Sequence, residues 1–388
     1  MSELEKRVIQ IFEAYDQQGI HRTGTVGDKE NADWLAEQVR SMGQEPQWTC
    51  FPHLRVDPIL SELQIGDQKI EGLPFFDGAF TDGNGVIGRL GGLEDDVPIV
   101  VGHHLTNRNW DTSQFAEARR QGKFKAMIAI CKRSRPGDVG GLTPTNAEDF
   151  AAPFGPPVLQ VADDAEDRIR KAVSSGAEVR VIAQVERTEV EALNVEVRMK
   201  GKDSTLSPLV VITPRSGWCH CASERGGGIA CWLETIRALS GNQPERDVWF
   251  VASTGHELGH LGLDYFLENH RALIEDAYTW IHLGANFAAA NRPSIRLQAS
   301  DTELKQLVFQ AIENLNIPSV AFTPIGSRPS GEARNIFDGN GRYISLLGDG
   351  NRLFHHPEDR WPDAVDLDKI VGLIGAFTKL AGRLAHAS

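Results

Sequence analysis

Arg246-Asp-Val-Trp-Phe-Val-Ala-Ser-Thr-Gly-His-Glu-Leu-Gly-His-Leu-Gly-Leu-Asp-Tyr-Phe266 is the stretch on which the fold turns. An apolar run ends at Gly255, and His256, Glu257 and His260 follow at once. The three spell H-E-x-x-H. On a helix that spacing sets two histidines one turn apart to bind zinc, with the glutamate as base. The flanking residues support a second reading. The segment before the motif reads as a buried strand, and Gly259 and Gly262 would each cost a helix interior roughly 1 kcal/mol against alanine. A strand end that delivers His256 and Glu257 into a cleft accounts for the same residues. The helical reading also lacks a third ligand in sequence, because Phe266 occupies the place where a histidine belongs.

Outward from this stretch the chain alternates strand and helix. Pro208 to Thr213 and Asp247 to Ser253 read as strands, with a helix over Gly228 to Ser240 between them. Strands at Trp280 to Leu283, Ile295 to Ala299 and Tyr343 to Leu346 follow, with helices over Thr302 to Asn314 and Leu367 to Ala385. This alternation predicts an α/β fold, a mostly parallel mixed sheet flanked by helices. Apolar stripes predict two opening helices, at residues 3–16 and about 29–42. Between about 56 and 189 the texture changes to short strands and glycine-rich loops such as Asp82-Gly-Asn-Gly85. We read this as a smaller β-rich inserted domain, leaving residues 1–55 and 190–388 as the main domain. His103-His104 within it read as surface histidines.

The totals narrow the function. A net charge of −13 argues against a nucleic-acid surface and leaves small or neutral partners open. No apolar run approaches the roughly 18 residues of a membrane span. The Met1-Ser-Glu-Leu-Glu-Lys6 opening is charged and helix-prone, unlike a signal peptide. The five cysteines are odd in number and scattered, as expected of reduced thiols in the cytoplasm.

In a sheet of this kind, sites lie beyond the carboxyl ends of the strands. There the sequence sets Arg215 and Glu224 after one strand, and His256 and Glu257 after the next. His282 and Asn286 come at a third strand end, and His355 and His356 follow a fourth. Carboxylates and imidazoles gathered at one edge suit a divalent metal, which polarises a carbonyl or lowers the pKa of bound water to about 7.

Several segments together resemble the zinc-dependent aminopeptidases related to bacterial leucyl aminopeptidase and glutamate carboxypeptidase II. Arg22 to Gly43 is similar to their opening helix, and residues 98–195 resemble their protease-associated insert. Ala222-Ser-Glu-Arg-Gly-Gly-Gly228 sits where the family has Asp-Asn-x-Ser-Gly. Phe250 to Gly262 sits where it has Glu-Glu-x-Gly-x-x-Gly, and Phe354-His-His-Pro-Glu-Asp359 matches its last ligand motif. The resemblance implies a zinc exopeptidase fold of the phosphorylase/hydrolase type.

Carried over position by position, the resemblance implies one divalent metal, zinc, held by Glu224, Glu257 and His355. The family's second zinc would need a histidine and an aspartate where this chain has Pro214 and Gly284, leaving His220, His282 and Asn286 as substitutes. The family's catalytic glutamate falls on His256, and imidazole is a competent base near neutral pH. His256 and His282 are therefore the candidate catalytic groups, with His260 expected to support them by packing. Glu332 and Arg334, in the substrate-facing loop Ser330-Gly-Glu-Ala-Arg334, and Arg215 are the candidate substrate-binding residues. The expected activity is hydrolysis of an amide bond in a small molecule or short peptide, on a scaffold that often pairs as a homodimer. Two alternatives stand beside it: a metal-independent acid/base hydrolase or lyase, and a non-catalytic binding protein on the same scaffold.

Overall fold

The computed structural model describes residues 1–103, 114–132, 139–291 and 294–387; His104 lies outside them. In chain order the elements open with helices α1 (Glu3–Gln17) and α2 (Val26–Ser41). Strands β1 (Pro46–Ile65), β2 (Gln68–Pro74), β3 (Val86–Gly91) and β4 (Val97–His103) follow. Next come α3 (Gln114–Gln121), β5 (Met127–Lys132), β6 (Val158–Ala162), α4 (Glu166–Ser174) and β7 (Glu178–Met199). Then β8 (Leu209–Pro214), α5 (Ala222–Ser240), β9 (Val248–Ser253), α6 (Leu261–Asn269) and α7 (Leu273–Asp276) alternate. The chain closes with β10 (Thr279–Leu283), β11 (Ser294–Ala299), α8 (Thr302–Ile312), β12 (Ser319–Phe322), α9 (Ala333–Asp338), β13 (Tyr343–Asp349) and α10 (Leu367–Ala385). None of the described helices is long and apolar enough to cross a membrane.

The chain divides into two compact units. The first comprises Met1–His53, Glu191–His256 and His260–Ser388, and the second Leu54–Val190 with Glu257–Gly259.

In the first unit the sheet order is β7-β9-β8-β10-β13-β11-β12. The centre is parallel: β9 pairs with β8, β8 with β10, and β10 with β13. β7 joins antiparallel to β9, and β11 antiparallel to β13. Every residue of β8 and β10 is buried, as expected of strands covered on both faces. One face is covered by α1, α5, α8 and α10, whose Phe12, Trp232, Val308 and Phe377 share a core with Val211, Phe250 and Ile344. On the opposite face Leu263 and Phe266 of α6 pack with Val210, Val251 and Trp280.

The mixed α/β sheet anticipated from the sequence is present, and one boundary differs. Helix α5 begins at Ala222, six residues before Gly228, the residue from which the pattern predicts it. The Gly226-Gly227-Gly228 run reads as a turn in isolation, yet it lies inside the helix because the helix sits too close to its neighbours for side chains. A Cβ on Gly226 would come within 2.5 Å of Phe12, and one on Gly228 within 2.4 Å of Thr213 Oγ1. Close approach, and not a turn, explains these glycines.

In the second unit β6, β5, β4 and β3 run parallel, with β2 and the first part of β7 antiparallel at the two sides. Ile128, Leu159, Ile169 and Val181 lie in its main core. A buried Arg119–Asp77 ion pair at 2.9 Å lies in the same unit, its guanidinium over the rings of Phe75 and Phe154.

Candidate active site

The carboxyl ends of β8, β9 and β10 in the first unit converge on one polar cluster. Its framework is set by Arg215, the first residue after β8. This guanidinium is fully buried and pairs with Asp28 of α2 at 2.7 Å. It also donates to the Asp28 and Leu193 carbonyls. Asp28 in turn accepts from the Thr254 hydroxyl at 2.9 Å. The Gly255 amide donates to both Thr23 Oγ1 and Ser216 Oγ. The turn after β9 is thereby bolted to α2 and to the β8 loop.

That turn also closes on itself. Leu261 N donates to the Gly255 carbonyl and Gly262 N to the Thr254 carbonyl. Asn194 of β7 holds both ends, accepting from Thr254 N and donating to the Gly262 carbonyl. The loop needs left-handed backbone: Gly255 has φ of 78° and His260 has φ of 68°. For histidine this conformation is uncommon and costs energy, a pattern concentrated at functional positions. The result is that His256 and His260 stack with ring centroids 5.1 Å apart. The two histidines are brought together as an α-helical H-E-x-x-H would bring them, but by a single 3-10 turn at His256–Leu258 closed by the left-handed His260.

The third member comes from across the sheet. Glu332, the residue preceding α9, sends Oε1 to His256 Nδ1 at 2.7 Å and Oε2 to His282 Nε2 at 3.0 Å. His282 sits on β10, and its Nδ1 lies 2.8 Å from Ser345 Oγ on the facing residue of β13. His260 Nδ1 lies 2.7 Å from Asn335 Oδ1. Burial works against the charge on Glu332. His256 and His260, with hydrogen bonds from His256 and His282, outweigh it and hold the carboxyl well below its usual range. An ionised carboxylate only accepts, so both rings donate to it. In a neutral His256 the lone pair is then on Nε2, and in a neutral His282 Nδ1 accepts from Ser345. His256 is 8% exposed and His282 is 0%, so both rings are buried.

Among the described residues, one group of three side chains has metal-type ligand atoms all within 4.8 Å of one another: His256, His260 and Glu332. The other residues singled out from the sequence lie as follows. Glu224, in the first turn of α5, is ion-paired with Arg225 at 2.8 Å, both fully buried. His355 Nε2 is 3.7 Å from Glu224 Oε1, and its ring lies against Phe354. A guanidinium thus stands against the carboxylate assigned to a metal by resemblance. Glu257 groups with the second unit, where its carbonyl accepts from Ala147 N. Arg215 is enclosed in the Asp28 network and does not face an open surface. Arg334 is half-buried on the first turn of α9, within electrostatic reach of Asp264. Sequence reading set Glu332 toward substrate and His260 among packing residues. Their proximity depends on pairing across 76 residues, and the literal H-E-x-x-H spacing was the one local signal for it.

No family model matches the chain, and no curated protein matches it. Solved structures do match over nearly its whole length. An aminopeptidase from Aneurinibacillus sp. has a TM-score of 0.76 at 14% identity, over 99% of this chain and 94% of that one. A zinc aminopeptidase from Bacillus subtilis gives 0.76 at 16% identity, over 98% and 93%. A peptidase M28 precursor from Shewanella amazonensis gives 0.77 at 16% identity, over 100% and 96%. At these identities the likeness is one of fold. The chain has the α/β fold of these aminopeptidases.

Proposed function

We propose that the protein is an amide hydrolase of the aminopeptidase type that uses one divalent cation, zinc or similar, held by His256, His260 and Glu332. The observation that carries this reading is the convergence of those three buried side chains at the strand ends of an aminopeptidase-like fold. The donor set fits. Two imidazoles and a carboxylate are the ligand types zinc takes, with the cation replacing the proton shared by His256 Nδ1 and Glu332 Oε1, and Asn335 orienting His260. A cation there supplies Lewis-acid polarisation of the amide carbonyl.

The chain's own groups then have separate tasks. Glu332 holds His256 and His282 and carries the negative charge that offsets a cation. Ser345 and His282 hold Glu332 in turn. Arg215 and Asp28 keep the loop carrying His256 in place. Arg334, two residues beyond Glu332, is the cation set to pair with a substrate carboxylate. Hydrolysis adds water across the C–N bond and releases a carboxylate and an amine, so the substrate is a short peptide or an N-acyl amino acid.

One observation favours a second reading, in which no metal takes part. The 2.7 Å contact of His256 Nδ1 with buried Glu332 is the arrangement of an oriented general base. In that case His256 Nε2 takes a proton from the attacking water and returns it to the leaving amine. Hydrolysis of a panel of aminoacyl and N-acyl anilides, run with and without chelator, separates the two readings. The first predicts loss of turnover in chelator, recovery with zinc, and loss in His260→Ala. Turnover that survives both chelator and His260→Ala sinks the metal reading. Absence of turnover across the panel with metal restored sinks both.

A further inference from the structure

His260 is held by a chain of two further side chains. Asn335 of α9 places Oδ1 2.7 Å from His260 Nδ1, and its Nδ2 donates to Asp264 Oδ1 on α6. The chemistry of these groups fixes their direction. A carboxylate only accepts, so Asp264 takes the NH2 end of the Asn335 amide. The amide oxygen is thereby turned toward the imidazole. An amide oxygen also only accepts, so the hydrogen between Asn335 and His260 must sit on Nδ1. In a neutral ring the lone pair is then on Nε2.

We propose that Asp264 and Asn335 are positioning residues that hold His260 as its Nδ1–H tautomer and make Nε2 the nitrogen it offers to a cation. Geometry gives this role a mechanical basis. His260 sits in left-handed backbone at φ 68° immediately before α6, and Asp264 lies one turn along that same helix. Asn335 lies three residues beyond Glu332, at the start of α9. The two helix starts that supply His260 and Glu332 are therefore tied together by the Asn335 amide. The ring plane is set independently by the stack on His256, with 26° between the planes. A hydrogen-bonded partner on the non-ligating nitrogen is the usual device that orients a metal-binding histidine, worth about 10–100-fold in affinity. Here the partner is a neutral amide, itself oriented by a carboxylate.

What Nε2 does rests on the metal reading of the site; the tautomer itself does not. The test uses the full chain with histidines labelled in 15N, stripped by chelator and dialysed. Long-range proton–nitrogen spectra then report which ring nitrogen is protonated, with the His260 signals assigned by their loss in His260→Gln. The expected wild-type spectrum shows a protonated Nδ1 and an unprotonated Nε2. Asn335→Leu removes the acceptor, so Nε2–H signal grows and zinc binding weakens about 10–100-fold. The double swap Asn335→Asp with Asp264→Asn exchanges the two ends of this contact and keeps an acceptor oxygen facing the ring, so it retains Nδ1–H and most of the zinc affinity. A purely structural role for Asn335 would not separate these variants by tautomer. A wild-type His260 carrying Nε2–H overturns the proposal, as does a tautomer unchanged in Asn335→Leu. If Asn335→Leu fails to fold, the wild-type spectrum and the double swap still decide: Nε2–H in either overturns it. A wild-type chain that shows Nδ1–H yet takes up no zinc supports the positioning role and counts against the metal reading alone.

Discussion

Glu332 and His256 meet at 2.7 Å although 76 residues separate them in the chain. The contact joins the loop after β9 to the start of α9, and everything proposed for the site depends on it. Glu332→Gln keeps the size of the side chain but offers a single acceptor oxygen and no charge. His256 and His282 can no longer both donate to it. The expected result is a fall in zinc affinity larger than the roughly 10–100-fold typical of outer partners. Titration calorimetry on Glu332→Gln and wild type reads it directly.

His282 gives a graded comparison. It touches Glu332 and Ser345 and has no exposure, so it acts by holding the carboxylate. His282→Gln is expected to weaken zinc binding about 10–100-fold and leave the number of sites unchanged. Ser345→Ala, one bond further out, is expected to cost less. The order Glu332 > His282 > Ser345 in the same titration checks this.

The Arg215–Asp28 pair is a stability element with a consequence for the site. Both groups are buried, 0% and 2% exposed, so removing one leaves the other charged and unpaired. Asp28→Leu or Arg215→Met is expected to cost about 3–5 kcal/mol, seen as a lower denaturant midpoint. The double variant should recover part of the loss, since no lone charge remains.

How much of this was legible in the sequence follows from the range of each interaction. The strands around His256 were readable because buried strands and alternating helices leave local periodicity. The start of α5 was not, since three adjacent glycines signal a turn locally and close packing only in the presence of Phe12 and Thr213. The continuity of β7 is hidden in the sequence by the charged stretch Glu186 to Glu191 within it. The three-residue cluster was half legible. H-E-x-x-H named two of its members, but the strand-end reading left His260 a supporting residue, and the turn that joins them depends on hydrogen bonds to Asn194, Thr23 and Ser216. Glu332 could not be joined to them locally, because a contact across 76 residues leaves no periodic trace.

The glycine argument makes a paired prediction. Gly382, in α10, has nothing within 4 Å of an added Cβ, whereas one on Gly228 would meet Thr213 Oγ1 at 2.4 Å and the Leu283 carbonyl at 2.8 Å. Gly382→Ala should stabilise by up to about 1 kcal/mol through helix propensity. Gly228→Ala should destabilise despite the same propensity gain. Thermal midpoints of the two variants should move in opposite directions.

His21 predicts part of the acid sensitivity. Burial first, then the nearby charges of Arg215 and His220, push its pKa down to about 3. The unfolded chain takes up this proton near pH 6.5, about the ordinary histidine value. Between those two values the unfolded state binds a proton that the folded state refuses, so stability rises with pH. The contribution is complete above about 6.5 and is lost as pH falls toward 3, at up to about 1.4 kcal/mol per pH unit. His21→Phe, which keeps an aromatic ring on Tyr15, should flatten that slope. Denaturant unfolding at a series of pH values from 7 to 4 checks it.

The central claim is that His256, His260 and Glu332 bind one divalent cation, and zinc titration of the chelator-stripped full chain is its most direct test. The account predicts one site per chain in the wild type, with that site lost in His260→Ala and in Glu332→Gln and retained in Glu224→Gln. No zinc uptake by the wild type, or uptake that persists in His260→Ala and disappears in Glu224→Gln, would contradict it.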